Sequence, residues 1–155
     1  MNKEHQYNAT ITWTGNKGEG TTNYKAYDRS HVISIKNKPD IQASSDAPFL
    51  GDVTKHNPED MLLASLSSCH MLWYLHLCAD KGIVVTSYKD EVTGTMLQTE
   101  KGGHFTLVEL NPQVTITDSS MIEEANMLHR IANQHCFIAN SVNFPVQHNS
   151  VCKAQ

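Results

Sequence analysis

Apolar and polar residues alternate near the start of the chain. Tyr7, Ala9, Ile11 and Trp13 are interleaved with Asn8, Thr10, Thr12 and Thr14, the period of a half-buried strand. The run Gly15-Asn16-Lys17-Gly18-Glu19-Gly20 is a turn. A second strand is expected over residues 21–29 and a third over 32–35, before a turn at Asn37-Lys38-Pro39-Asp40. Residues 44–55 read as a loop carrying Phe49 and Leu50.

The pattern changes at Asn57-Pro58-Glu59-Asp60. Asn57 suits a helix cap, Pro58 the first helical position, and the two acids the positive end of the dipole. Lys81-Gly82 is the matching stop, which predicts a long helix over about 58–80. Residues 83–97 and 104–117 follow as strands joined by a turn at Glu100-Lys101-Gly102-Gly103. A second helix begins at Asp118 or Ser119 and runs to about 135, with Ile122, Ala125, Leu128, Ile131 and Ala132 on one face. Cys136 lies just past its end, and 142–146 is expected to return as a last strand. Strands, long helix, strands, helix and strand make an α+β order, expected as one domain over 1–155.

Composition narrows the function classes. A chain of 155 residues with 39% hydrophobic and 18% charged positions can bury a core of its own. A net charge of −4 offers no basic face, so nucleic acid is not an expected partner. No apolar run follows the first residues, and the expectation is a cytoplasmic protein without a signal peptide. From Met61 to Ala79 there are nineteen residues without a charge, fourteen of them apolar, close to the length of a membrane span. Ser65, Ser67, Ser68, His70 and His76 within that stretch favour a central buried helix instead, with His70 and His76 as hydrogen-bonded core histidines and no membrane partner.

Four cysteines in a reducing compartment call for a reason other than a structural disulfide, unless they are small buried hydrophobes. Cys69 and Cys78 are nine apart on one helix, so they point about 180° from each other and sit roughly 13 Å apart along its axis. A disulfide between them is excluded, and any partner for Cys69 must be Cys136 or Cys152. The spacings around Cys69 and Cys136 match no helix or short-loop zinc pattern, so no metal is expected. No Lys or Arg lies between Asp60 and Asp80, so a cation that activates Cys69 must come from another segment. The chain has only two arginines, Arg29 and Arg130. On these residues alone, a buried inert Cys69 and a reactive one both stand.

The run Asn57-Pro58-Glu59-Asp60-Met61-Leu62-Leu63-Ala64-Ser65-Leu66-Ser67-Ser68-Cys69-His70 resembles the OsmC/Ohr family. That family combines Asn-Pro-Glu, a helix of small and apolar residues, and a cysteine ten positions after the Glu. His135-Cys136-Phe137-Ile138-Ala139-Asn140-Ser141 resembles its second cysteine segment, although Phe137 stands where many relatives have proline. The resemblance implies an OsmC-like fold of antiparallel sheets packed around the long helix, in an intertwined homodimer. It implies an organic hydroperoxide reductase in which Cys69 is the peroxidatic cysteine and Cys136 the resolving one. Arg29 takes the position of the activating arginine, and Glu59 that of the acid that pairs with it. An external thiol, dihydrolipoyl in some members, is the implied reductant, and no cofactor is required. Ten helical residues between Glu59 and Cys69 amount to about 15 Å, which suits an active site shared between two chains. The alternatives are a non-catalytic redox-sensing or small-molecule-binding member of the same fold, or a metal-binding protein.

Overall fold

Residues Pro58–Asp80 form one continuous α-helix of 23 residues, α1. Asn57 caps it, its side-chain oxygen accepting the Asp60 N–H at 2.7 Å. At the other end Gly82 adopts φ 72°, a conformation that suits a residue without Cβ. Its N–H donates to Ala79 O at 3.1 Å and the Ile83 N–H to Cys78 O at 2.9 Å, the two closing bonds of a Schellman motif. By length and composition α1 could cross a membrane, yet Leu66, His70, Tyr74 and Cys78 along it are buried within the protein. The burial is one-sided. Leu72 is 62% exposed, and His76, expected in the core, is exposed and faces Asp80 at 3.5 Å.

The computed structural model describes residues 3–155, which fall into two compact units, Met1–Met61 and Leu62–Gln155. In the first, β1 (Thr10–Trp13), β2 (His31–Ser34) and β3 (Ile41–Ala43) form an antiparallel sheet in that order. Ile11 stands opposite Ile33, and Ile33 opposite Ile41. All four residues of β1 are exposed, so its alternation does not correspond to a buried face within the chain. The strand expected over 21–29 is absent. Side chains there compete with a ladder for the backbone. Asn16 accepts from the N–H groups of Gly18 and Gly20, Asn23 from that of Lys25, and Arg29 donates to the carbonyls of Tyr24 and Tyr27. The excursion is closed by Asp28 N–H donating to Gly15 O at 2.8 Å. A Cβ on Gly15 would stand 1.8 Å from Asp28 O, so this closure requires glycine. Residues 44–55 are largely loop, with one 3-10 turn at Ala47–Phe49.

In the second unit the two long expected strands are each broken in two. β4 (Val85–Asp90) pairs with β7 (Pro112–Ile116), and β5 (Thr93–Thr99) with β6 (Gly102–Leu110). The breaks are laced together by polar side chains. Asp90 accepts the Asn111 N–H at 2.6 Å and the Ser67 hydroxyl of α1 at 2.5 Å, while the Asn111 amide donates to Glu91 O at 2.9 Å. Pro112 then begins β7, a first-strand position where its missing N–H is tolerated. Two short strands complete these sheets, β8 (Val146–His148) beside β6 and β9 (Val151–Ala154) beside β7. Both pair in parallel, so the sheets are mixed where antiparallel ones were expected. The strand expected over 142–146 is correspondingly shifted to β8.

The second helix, α2 (Ile122–His135), is led in by a 3-10 turn at Ser119–Met121, with Asp118 accepting the Ser120 N–H at 2.8 Å. Its inner face is Ala125, Leu128, His129 and Ala132. The larger apolar cluster of this unit includes Tyr74, Ile83, Val114, Ile116 and Leu128. A smaller one is built on Leu66, Val108 and Leu110. His70, one turn after Leu66 and one turn before Tyr74, falls at the seam between them.

Candidate active site

Cys69, Leu72, Trp73 and His76 follow the i, i+3, i+4, i+7 spacing and so share one face of α1. Cys69 is half-buried on that face. Cys136 is buried at the C-terminal end of α2, where its backbone leaves the helix at φ −64° and ψ 109°. The two thiols are free, and Cys69 lies close enough to Cys136 to shift its titration. The fold thus brings together two of the four residues singled out in the sequence.

Burial, and then the neighbouring Cys69 thiol, push the Cys136 thiol up to about 11. The backbone opposes part of that rise. Past Cys136 the chain enters a 3-10 turn at Ala139–Ser141, and the Ala139 N–H donates to Cys136 Sγ at 3.4 Å. The Asn140 N–H donates to the Cys136 carbonyl at 3.0 Å, which fixes the turn behind the sulfur.

Around the thiol pair stands a group of rings. Trp73 stacks on His135 with centroids 5.0 Å apart and an interplanar angle of 27°. Phe137 meets the same indole edge-on at 5.7 Å, and His76 does so at 5.8 Å. Leu72, Trp73 and His76 line a shallow apolar hollow. Trp73 and Phe137 are apolar neighbours of the two cysteines in sequence, whereas the stacking of Trp73 on His135 depends on how α1 and α2 pack.

Arg29 and Glu59 belong to the first unit. The Arg29 guanidinium lies between two rings, 4.1 Å from the centroid of Tyr24 and 4.3 Å from that of Tyr27. It donates to the backbone carbonyls of both residues. Among the described residues no ion pair joins Arg29 to Glu59, so the expected pairing is not made within the chain. Glu59 sits in the first turn of α1 and is half-buried.

The second unit holds a polar constellation that was only partly expected. His70 and His129 are both fully buried, and His70 Nε2 lies 3.0 Å from His129 Nδ1. His148 at the end of β8 stands 5.7 Å from His70 and 6.1 Å from His129, measured between ring centroids. Burial, and then the charge of His148, hold His70 down to about 4. Burial and the other two rings hold His129 down to about 3. The expected core role of His70 is thereby met, while His129 and His148 could be found only from contacts distant in sequence. Tyr74 stacks on His129 with centroids 3.8 Å apart, and burial raises its hydroxyl, as it does the nearby thiols of Cys78 and Cys152. Among the described residues no three metal-ligating side chains converge in a way that could hold an ion.

Comparison with known proteins follows the same lines. The family model described as OsmC-like protein matches residues 51–150, more than half the chain. An OsmC-like protein of unknown function from Vibrio cholerae is 31% identical, with a TM-score of 0.87 over 96% of this chain and 100% of its own. An organic hydroperoxide resistance protein from Elizabethkingia anophelis, crystallised with thiocyanate, shares the fold. It has a TM-score of 0.68 at 19% identity over 100% of both chains. An OsmC-like protein from Mycoplasma pneumoniae has a TM-score of 0.72 at 14% identity, covering 97% of this chain and 99% of its own. No curated protein matches the chain.

Proposed function

The chain belongs to the OsmC-like protein family, and from that premise we propose that it is a thiol-dependent peroxidase reducing organic hydroperoxides to alcohols. The observation that carries this reading is the proximity of the free thiols of Cys69 and Cys136, brought together from α1 and the end of α2. A half-buried thiol with a second thiol beside it is the arrangement a two-cysteine peroxidase requires.

The Cys69 thiolate attacks the outer peroxide oxygen. An S–O bond forms, the O–O bond breaks, and the alkoxide leaves as the alcohol after taking a proton. Cys69 is then a sulfenic acid. The Cys136 sulfur attacks Cys69 Sγ, the S–S bond forms, and the sulfenic oxygen departs as water. An external dithiol, of the dihydrolipoyl kind, attacks the disulfide at Cys69 and expels Cys136 as thiolate. The Ala139 N–H, 3.4 Å from that sulfur, supports the charge as it appears. The disulfide of the reductant forms in the second exchange, and both protein thiols return. No metal, flavin or haem takes part.

Arg29 is assigned the role of activating cation and Glu59 that of its partner, on their family positions alone. A homodimer accommodates this assignment. α1 is apolar nearly all round yet buries only one side in its own chain, leaving Leu72 62% exposed for a second copy to cover. A reducing cytoplasm is the compartment that suits such a cycle. The decisive experiment is intact mass after one equivalent of cumene hydroperoxide. Formation of the alcohol with loss of two hydrogens from the protein, reversed by a dithiol, supports the reading. An unchanged protein mass with the hydroperoxide left intact overturns it.

A further inference from the structure

We propose that Trp73 is a positioning residue that holds Cys136 against Cys69, acting through His135 and Phe137. The proposal rests on the reading of Cys69 and Cys136 as a redox pair. Cys136 stands where α2 ends, and its N–H reaches back to Asn133 O at a long 3.4 Å, so the helix itself fixes it weakly. Its two chain neighbours compensate. His135 lies against the face of the Trp73 indole, and Phe137 meets the same ring edge-on. Trp73 in turn lies one helical turn after Cys69, on the same face of α1. One rigid ring therefore ties the residues on both sides of Cys136 to the helix that carries Cys69. His76, one turn further along, meets the indole from its own helix.

Phe137 shows that this contact is more than general core packing. The residue is 69% exposed, yet its ring is held perpendicular to the indole rather than in either apolar cluster. The ring geometry is the favourable one for aromatic pairs, and each such contact changes an equilibrium by roughly two- to tenfold. Two of them acting on one cysteine are expected to raise the effective concentration of Cys136 at Cys69 by about tenfold or more. That corresponds to about 30 mV in the potential of the disulfide.

The test measures the equilibrium of the Cys69–Cys136 disulfide in buffers of reduced and oxidised dithiothreitol, quantified by peptide mass after alkylation. This readout does not depend on peroxidase activity. Full-length wild type, Trp73→Phe, Trp73→Leu and Phe137→Ala are compared. The clamp predicts that Trp73→Phe stays within about threefold of wild type, while Trp73→Leu raises the potential by about 30 mV. Phe137→Ala falls between them. A ring that merely fills space predicts equal behaviour for the Phe and Leu variants, and that result overturns the proposal. Failure of the wild type to form this disulfide also overturns it. A normal disulfide without hydroperoxide turnover removes the peroxidase reading and leaves the clamp standing.

Discussion

His70 Nε2 and His129 Nδ1 meet at 3.0 Å, with the two imidazoles coplanar to within 5°. The centroid separation of 5.3 Å is that of two rings joined edge to edge through their nitrogens, rather than stacked face to face. One N–H lies in the bond. The outer nitrogens, His70 Nδ1 and His129 Nε2, are buried without partners, so one remaining N–H of the neutral pair has no acceptor. This layer lies along α1 between Leu66 of one apolar cluster and Tyr74 of the other, and burial there disfavours a charge on either ring.

The fold is therefore expected to weaken in mild acid. The unfolded histidines titrate near 6.5, while the folded ones are held down to about 4 and about 3. Below pH 6.5 the unfolded chain binds more protons than the folded one, so stability falls as the pH falls, until the folded rings themselves titrate. At pH 5 the two together amount to a loss of roughly 4 kcal/mol, a large part of an ordinary folding free energy. His148 faces both rings from β8 and is itself held below its ordinary value by burial, which adds in the same direction. Urea midpoints between pH 5 and 8 check this, with His70→Leu/His129→Leu as the comparison. The double variant is expected to flatten the slope, and an equally steep profile would remove the layer as its cause.

Substitution of the two cysteines is expected to be unequal. Cys69→Ser abolishes hydroperoxide consumption. Cys136→Ser permits one oxidation and leaves Cys69 trapped as sulfenic acid or driven to sulfinic acid, because the thiol beside it is gone. Dimedone labelling and intact mass distinguish these states. Residual turnover in Cys69→Ser equal to that of the wild type is the result that would displace the assignment.

How much of this was legible in the sequence depends on whether the determinants are local. Asn57, Pro58 and Gly82 mark α1 from its own caps, and Asp118 marks the entry to α2. The missing strand at 21–29 was hidden because Arg29 folds that segment around its guanidinium, an arrangement that period-two patterning does not register. The breaks at Glu91 and Asn111 were hidden because Asp90 joins two strands and α1. In the candidate site, the pairing of Cys69 with Cys136 as neighbours was legible through family resemblance, whereas spacing alone left Cys152 as an equal partner. His129, His148 and the Trp73 contacts depend on how elements pack, and no local pattern carries that information.

Bulky organic hydroperoxides are expected to be preferred over hydrogen peroxide. Leu66, three residues before Cys69 on α1, is fully buried in the smaller cluster and takes no part in this surface. Leu72, Trp73 and Phe137 provide the apolar surface next to the thiols. Each methylene buried there contributes about 0.8 kcal/mol, which hydrogen peroxide cannot gain. Three to four such groups predict on the order of a hundredfold in kcat/KM for cumene hydroperoxide. Steady-state comparison of the two substrates checks this, and a higher efficiency with hydrogen peroxide would refute it.

The last prediction concerns the residues that the single chain leaves apart. Ten residues of continuous helix separate Glu59 from Cys69, about 15 Å along α1. A glutamate side chain does not cover that distance, and Arg29 makes no ion pair with Glu59 within the chain. Two copies of α1 packed antiparallel across a two-fold axis bring the start of one beside the middle of the other. The exposed Leu72 side of α1 is the apolar surface such packing would cover. Arg29 and Glu59 of one protomer are then expected to serve the partner's Cys69. Inactive Cys69→Ser and inactive Arg29→Ala chains are unfolded together, refolded, and the heterodimer is isolated by differential tags. A shared site predicts that one of its two centres is intact, with activity returning to about half that of the wild-type dimer. If isolated heterodimers stay inactive, Arg29 does not act across the interface, and the activating cation must be sought within the chain that carries Cys69.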